Sequence, residues 1–359
     1  LLPETSRTYE VGGDLRFFNN RIGVDVTYYD RETSDQILPV TLAASSGYTS
    51  ALLNTGLLSA NGLEVVLNLN PIRTKNFNWN ATINFDRNRT LVERLVGDLD
   101  GNGEDDVKTL IIGGFTRSGI YHVVGQPYGV LFGGSFVREG TDGPNDNGVA
   151  RPDGQIVIND DPNSSEYGFG LSDNTLRVFG NPNPDFTLGF FNQFTYKDVS
   201  LSFLIDWRKG GDLWNGTNWA LSFFGRSQLT ADTREEAAAP LEGVLPDGNA
   251  NNIDIVRDQS YWTSSNGGFG DVREHFTEDG GYVRLREITL SFNLNPAWFK
   301  NKFFQSGSLS FNGRNLWYTS DYTGVDPDTN LTGVGNAQGF DYFNMPGTRT
   351  YSMGLNLTF

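Results

Sequence analysis

The sequence predicts an all-β chain, a transmembrane antiparallel β-barrel with short periplasmic turns and long extracellular loops. Three observations predict it. Apolar and polar side chains alternate with a period of two, the mark of a strand with one apolar face. Several alternating runs reach about 9–11 residues, enough to cross a bilayer at a tilt, where sandwich strands average about 5–6. Short links also alternate with long ones, as in an outer-membrane barrel and not in a sandwich.

The strands follow in order. Tyr9, Val11, Leu15 and Phe17 form one apolar face, opposite Glu10, Asp14 and Arg16. Ile22, Val24, Val26 and Tyr28 form the next, then Leu63, Val65, Leu67 and Leu69. Phe77, Trp79, Ala81, Ile83 and Phe85 alternate with Asn78, Asn80, Thr82, Asn84 and Asp86. Phe186, Leu188, Phe190, Phe194 and Tyr196 share a face, as do Val199, Leu201, Phe203, Ile205 and Trp207. Ile288, Leu290, Phe292 and Leu294 oppose Thr289, Ser291 and Asn293. Last, Tyr351, Met353, Leu355, Leu357 and Phe359 oppose Thr350, Ser352, Gly354, Asn356 and Thr358. A short helix is expected over Thr233–Ala239, within a loop.

Short links fall at Phe18–Asn20, Pro71–Asn76, Lys197–Asp198 and Asn295–Ser306. Long ones fall near Pro39–Tyr48, Gly97–Ser118, Gly140–Asn183, Lys209–Asp279 and Asp321–Thr348. With the C-terminus on the short-turn side, parity requires a turn within Ile120–Arg138. Gly125-Gln126-Pro127-Tyr128 supplies it, Pro setting the turn angle and Gly relieving strain. The count is then eleven strands. An odd number does not close an even-stranded barrel, and bare edges cannot sit in lipid. The expectation is half of a barrel, in keeping with Leu1-Leu2-Pro3-Glu4, which reads as a start in mid-protein with no charged-then-apolar leader.

Composition narrows function. The 359 residues hold no Cys, two His, and 43 acidic against 27 basic side chains, a formal charge of −16. A Cys-based metal site, a thiol nucleophile and a disulfide scaffold are excluded. A phosphate backbone selects a basic surface, so no nucleic-acid partner is expected. Aromatics at 13% argue against disorder. No apolar run approaches the roughly 18–20 residues of a membrane helix.

Several stretches carry a family resemblance. They are Glu4-Thr-Ser-Arg-Thr-Tyr-Glu-Val-Gly12, Asp14-Leu-Arg-Phe-Phe-Asn-Asn-Arg-Ile22, Asp25-Val-Thr-Tyr-Tyr-Asp30 and Asp35-Gln-Ile-Leu-Pro39. Asn54-Thr-Gly56, Asn61-Gly-Leu-Glu64 and the specific Gly180-Asn-Pro-Asn-Pro-Asp-Phe-Thr187 follow. Gly281-Tyr-Val-Arg-Leu-Arg-Glu-Ile-Thr-Leu-Ser291, Gly313-Arg-Asn-Leu316, Arg349-Thr-Tyr351 and the terminal Leu357-Thr-Phe359 complete the set. In this order the chain resembles the barrel of SusC-type TonB-dependent outer-membrane transporters of Bacteroidetes. Its long acidic loops depart from the pattern.

The resemblance implies a 22-stranded barrel with an N-terminal plug, to which this chain supplies about the last eleven strands. Residues 1–359 are then the C-terminal part of the barrel domain, with the plug and the N-terminal barrel strands outside the chain. It implies a multi-pass barrel of the cell outer membrane, in contact with outer-membrane lipid. It further implies a SusD-like lipoprotein partner and coupling to the TonB complex through the part outside the chain. The activity implied is nutrient uptake of oligosaccharides or peptides, with no enzymatic step and no cofactor required. A passive porin, or a structural barrel in a secretion or adhesion complex, is the alternative. A soluble calcium-using lectin is a third reading, against which strand length, link alternation and the terminal Phe all count.

Candidate sites each stand beside a plainer reading. Tyr351, Met353, Leu355, Leu357 and Phe359 resemble the signal read by the barrel-assembly machinery; the plain reading is a last strand that ends in Phe. Asp98, Asp100, Asn102 and Asp106 place oxygen donors at close spacing with Gly between, as a Ca2+ loop requires. Thr109 stands where an EF-hand has its twelfth-position Glu, and a solvated acidic loop is the rival reading. Asp142–Gly148 with Asp153-Gly154 is a degraded version of such a loop. Trp214, Trp219, Tyr261 and Trp262 lie deep in a long loop, placed for ligand or partner contact. Trp317 and Tyr318 end a strand, where an aromatic girdle at the bilayer interface is favoured. Asp14, Arg16, Asp25, Asp86, Asp206, Arg208, Arg284 and Arg286 fall mostly on the polar face, for lumen solvation and plug contact. His122 and His275 have no nucleophile or carboxylate at a catalytic spacing. Neither a paired-carboxylate hydrolase signature nor a phosphate-binding glycine loop stands out.

Overall fold

The computed structural model describes residues 1–41, 47–48, 50–97, 101, 107–115, 118–140, 154–294, 297, 303–333 and 335–359. Period-two patterning becomes extended backbone along most of the chain. Strands β1 (Thr5–Phe17), β2 (Ile22–Thr41), β3 (Ser50–Arg73) and β4 (Phe77–Arg94) come first. Four short strands follow: β5 (Thr109–Phe115), β6 (Ser118–Val123), β7 (Val130–Gly133) and β8 (Arg177–Gly180). The chain then returns to long strands, β9 (Phe186–Tyr196) and β10 (Val199–Lys209). A long excursion contains β11 (Asp212–Asn215), α1 (Gly216–Phe223), α2 (Gln228–Thr233), β12 (Ala239–Pro240), β13 (Asp254–Ile255), α3 (Gln259–Trp262), a 3-10 turn and β14 (Thr277–Asp279). Finally come β15 (Tyr282–Asn293), β16 (Ser306–Thr319), β17 (Phe340–Asp341) and β18 (Thr350–Thr358).

Nine long strands form one antiparallel sheet in the order β1-β2-β3-β4-β9-β10-β15-β16-β18. Each pairs with its sequence neighbour among them, so the sheet is an up-and-down meander whose ends, β1 and β18, stay unjoined. Every residue of β1 is exposed, in keeping with a partial barrel. The short side is made of tight turns. Phe18, Asn19 and Asn20 take left-handed φ values of 52°, 53° and 64°, and Lys197 takes 52°. Asn tolerates this region, because its side chain bonds locally to the backbone.

The expected eleven strands become nine among the described residues. The turn at Gly125–Tyr128 exists, but it does not cross the membrane. It stops against the upper part of β4: Val92 N donates to Gln126 O at 3.0 Å and Tyr128 N to Thr90 O at 2.9 Å. The two strands counted there are β6 and β7, of six and four residues, in a separate four-stranded sheet β5-β6-β7-β8. Four to six residues are too short to span a bilayer, which takes about nine. β4 instead pairs directly with β9.

Outward-facing residues stack across the strands. Trp79 lies 5.5 Å from Phe194, and Phe194 lies 6.2 Å from Phe203, centroid to centroid. Such cross-strand aromatic pairs fix register, because a one-residue slip would turn every side chain to the other face. β2 and β3 run for 20 and 24 residues. That is well beyond the roughly 9–11 a bilayer needs, so their upper parts stand outside it.

The buried core lies above the membrane, in a module built from the β5–β8 sheet and the two longest loops. Ile120, Leu131, Phe169, Trp214, Trp219, Phe276 and Phe340 belong to one cluster. A small sheet, β14-β11-β17, ties the loops together. The expected helix over Thr233–Ala239 is displaced: Thr233 ends α2, and residues 234–239 are non-helical. Capping decides where the helices start. Ser227 accepts from Leu229 N to begin α2, and Asn215 accepts from Asn218 N to begin α1.

The facing assignment can be checked. Ile83→Arg, on the lipid face of β4, should destabilise the full-length barrel in vesicles by about 2–4 kcal/mol, read by denaturant unfolding. Asn84→Arg, on the inner face, should leave stability within about 1 kcal/mol.

Candidate functional site

The inner wall carries its charges near the top of β10 and β15. The register between β15 and β16 shifts between Leu285 and Glu287, and Asn315 opposite takes φ 52°. This irregularity changes the facing phase. Below it Ile288, Leu290 and Phe292 share a face with Phe203 and Leu201; above it Leu285 and Val283 pair with Ile205 and Trp207. Tyr282 and Arg284 are thereby turned inward, with Arg286 as the extra residue. Bulges re-aim side chains in this way.

A charge network follows. Arg284 is 2% exposed and forms a forked ion pair with Asp326, one arm of which is 3.2 Å. Arg286 bridges Asp206 at 2.8 Å and Asp328 at 2.6 Å, and donates to the Tyr282 hydroxyl at 2.8 Å. Burial alone would raise the Asp328 carboxyl; the hydrogen bond and charge of Arg286 outweigh it and hold the group below its usual range. Wall and loop are thus joined by paired charges, since an unpaired one would be costly here. Beside the network, Asn84, Asp206, Arg286, Glu287 and Arg314 line an inner concavity of ≈ 520 Å³.

The loop module above is held by rings and by close backbone contact. Trp214, fully buried, packs at 5.1 Å from Phe340 and 5.3 Å from Trp219. Arg273 lies 4.0 Å over the Trp219 ring, a cation–π contact out of water. Glu274 accepts from Arg138 Nε at 2.9 Å and from Phe136 N at 3.0 Å. Tyr322 donates to Asp341 at 2.6 Å, and burial together with that carboxylate pushes its phenol up. At Gly134 a Cβ would meet Asp271 O at 2.0 Å, so only glycine allows the β7 end to touch the 264–273 loop.

These contacts reassign the four loop aromatics. Trp214, Trp219, Tyr261 and Trp262, expected at a ligand or partner, are core residues of the module, 0%, 7%, 3% and 4% exposed. Direct stacking on a ligand needs an open ring face, which none presents in this conformation. The Trp262 indole donates inward, to Arg257 O at 3.1 Å and Thr233 Oγ1 at 3.2 Å. Tyr261 lines a cavity of ≈ 300 Å³ with Phe136, Arg257, Glu274 and His275.

The other expected residues fall as follows. Asp98, Asp100, Asn102 and Asp106 lie outside the described residues, as do Asp142–Gly148 and Asp153. Among the described residues no group of three or more His, Asp or Glu gathers as a metal set. Tyr351, Met353, Leu355 and Phe359 project outward from β18, and Phe359 stacks on Phe303 at 5.5 Å. Trp317 is exposed beside Leu285 on the outer face, as a girdle residue would be. Tyr318 is not: Arg284 lies 4.9 Å over its ring, on the inner side. Asp14 and Arg16 pair with each other on exposed β1, and Arg208 donates to Pro182 O at 2.7 Å. Sequence reasoning missed Asp326, Asp328 and Arg273, and it singled out Tyr322 as a loop aromatic without its partner Asp341. The partners of Asp326, Asp328 and Arg273 are 42 to 54 positions away, and only an Asp-Pro-Asp turn at 326–328 hinted at them.

An unclosed antiparallel sheet with an apolar outer face, a charged inner face and a loop module on one side defines a segment of an outer-membrane β-barrel. No family model matches the chain. TonB-dependent receptor P3 of Formosa agariphila is 30% identical over 376 residues, covering 99% of this chain and 34% of the relative. TonB-dependent receptor SusC of Bacteroides thetaiotaomicron is 22% identical, covering 99% of the chain and 32% of the relative. The RagAB peptide importer in its closed-closed state superposes with a TM-score of 0.70 at 19% identity, covering 99% of this chain and 35% of that one. Over nearly its whole length the chain is thus similar to TonB-dependent receptors, SusC among them. It spans about a third of the length of the curated relatives it matches.

Two outcomes test this geometry. Asp326→Ala should strand the Arg284 charge and weaken the anchoring of residues 321–330 by about 3–5 kcal/mol, measured as faster hydrogen exchange there. Burial pushes His122 and His275 down to about 4. Each binds its proton more weakly folded than unfolded, so their stabilising effect is complete above about pH 6.5 and is lost as pH falls towards about 4. Melting temperature should fall over that window, and less steeply in a His122→Gln/His275→Gln double variant.

Proposed function

We propose that the chain is the wall and outer module of an active importer, carrying oligosaccharides or peptides through a plugged barrel. The observation that carries this is the charged inner face tied by Arg284–Asp326 to an outer module with its own buried aromatic core, in a chain similar over 99% of its length to TonB-dependent receptors. A passive pore needs only a wall. A module with its own aromatic core gives a surface partner something fixed to close against.

The working assembly has four further parts. A SusD-like lipoprotein caps the module. The TonB complex acts through the plug and its contact segment, which the resemblance puts outside residues 1–359. The barrel-assembly machinery reads the last strand through Tyr351, Met353, Leu355, Leu357 and Phe359. The substrate is a glycan or a peptide; similarity to a peptide importer favours the peptide. Trp214, Trp219 and Trp262 act by holding the module and not by touching cargo, while Tyr261 reaches cargo only at its cavity edge. If Ca2+ is bound, Asp98, Asp100, Asn102 and Asp106 would hold it.

Uptake of labelled oligosaccharide and peptide pools by cells is the deciding measurement. It should stop when TonB is removed or the proton gradient is collapsed, and the lipoprotein should co-purify with the receptor. Uptake that continues without TonB would favour the porin. Separately, deleting Phe359 should lower the amount of receptor in the outer membrane several-fold, read by blotting membrane fractions; unchanged amounts would remove the assembly role.

A further inference from the structure

The wall has an opening at its outer rim. β4 and β9 are paired from Phe77↔Tyr196 up to Asp86↔Thr187, and no further. The next contact on that edge of β4 is the bridge Leu91↔Pro127. Between them, Arg87, Asn88 and Arg89 have a strand partner on the β3 side only. The gap is closed above by the Gly125–Tyr128 turn and at the side by Asn183, which donates to Tyr128 O at 2.7 Å. A cavity of ≈ 920 Å³ fills it. Its lining comes from both faces of β4, with Asp86, Asn88 and Thr90 on one and Arg89 and Leu91 on the other, and the carboxylates of Glu93 and Asp185 also border it; Arg87 lies outside the lining, one turn of the pleat below Arg89 on the outward face.

The level of this notch is set by the lipid-facing residues. On β4 the outward face runs Phe77, Trp79, Ala81, Ile83, Phe85 and then Arg87 and Arg89. Phe77 to Arg87 is ten residues, about 33 Å along the strand, or about 25 Å along the normal at a tilt near 40°, which is the height of the apolar band. The neighbouring ring of Tyr28, Phe186 and Trp207 closes the outer faces of β2, β9 and β10 at this height, as an interfacial aromatic girdle does. Arg87 and Arg89 therefore stand just above the girdle, at the level of lipid headgroups. Both are exposed, and neither side chain has a hydrogen-bond or ion-pair partner among the described residues. Asp30, on the same face and level, stands two strands away across Asn61.

We propose that this notch binds the phosphorylated headgroup of an outer-leaflet lipid, with the Arg87 and Arg89 guanidinium groups on its phosphate. Phosphate oxygens accept the charge-assisted hydrogen bonds that guanidinium groups offer. The unpaired β4 edge and the polar lining accept the rest of the headgroup, supplying hydrogen-bond partners that bare backbone needs beside lipid. The inference depends on the outer-membrane setting and is independent of what is imported.

The test is a binding titration of the full-length receptor in detergent against lipid A, against the same lipid with its phosphates removed, and against inorganic phosphate. Wild type should bind lipid A at least about tenfold more tightly than the dephosphorylated lipid. Arg87→Gln/Arg89→Gln should abolish that difference, while Arg87→Lys/Arg89→Lys retains most of it and shows that charge, not folding, is at issue. Equal binding of the two lipids, or a difference that survives the Gln variant, overturns the proposal. Inorganic phosphate binding as tightly as lipid A overturns the lipid assignment. Substrate uptake, scored in parallel, should be unchanged in the Gln variant, so a failure here is distinct from a failure of the import reading.

Discussion

Everything in this chain depends on one constraint: backbone N–H and C=O groups beside lipid need partners, and only a neighbouring strand can supply them all. That constraint produces the long antiparallel ladder from β1 to β18. The ladder in turn imposes the two-residue alternation, because successive side chains point to opposite faces. One face meets hydrocarbon and becomes aromatic and aliphatic. The other is free to carry Asp206, Arg286 and Arg314.

Once the chain leaves the bilayer the constraint lifts, and the architecture changes with it. Short strands, helices of four to eight residues and long loops take over. Stability there comes from a buried aromatic cluster, as in a soluble domain. Two kinds of contact join the regimes. Paired charges bind the loop at 326–328 to β15, and backbone hydrogen bonds bind the Gly125–Tyr128 turn to β4.

What could be read in advance follows this division. The spanning strands were legible because lipid enforces local alternation: all eight alternating runs, such as Phe77–Phe85 and Tyr351–Phe359, fall in strands of the main sheet. The strand count was not. Parity counted β6 and β7 as spanning, because a turn signal at Gly125-Gln126-Pro127-Tyr128 carries no information on how far its flanking strands run. The loop aromatics were recognised as important, yet their role was inverted. Trp214 meets Phe340, 126 positions on, and no local pattern distinguishes a ring buried by such a contact from one left open. Arg284 was placed rightly on the polar face, but Asp326 was invisible as its partner for the same reason.

The glycine at 134 has a wider consequence. With no room for even a methyl group between it and Asp271, the small four-stranded sheet and the longest loop meet backbone to backbone. Arg273 N and Gly134 O are hydrogen-bonded across this seam at 2.8 Å. A seam of that kind cannot slide or swell in small steps. Two parts so joined move as one lever, and any gating on this side would have to pivot at the tethers to the wall, leaving the interior of the module unstirred.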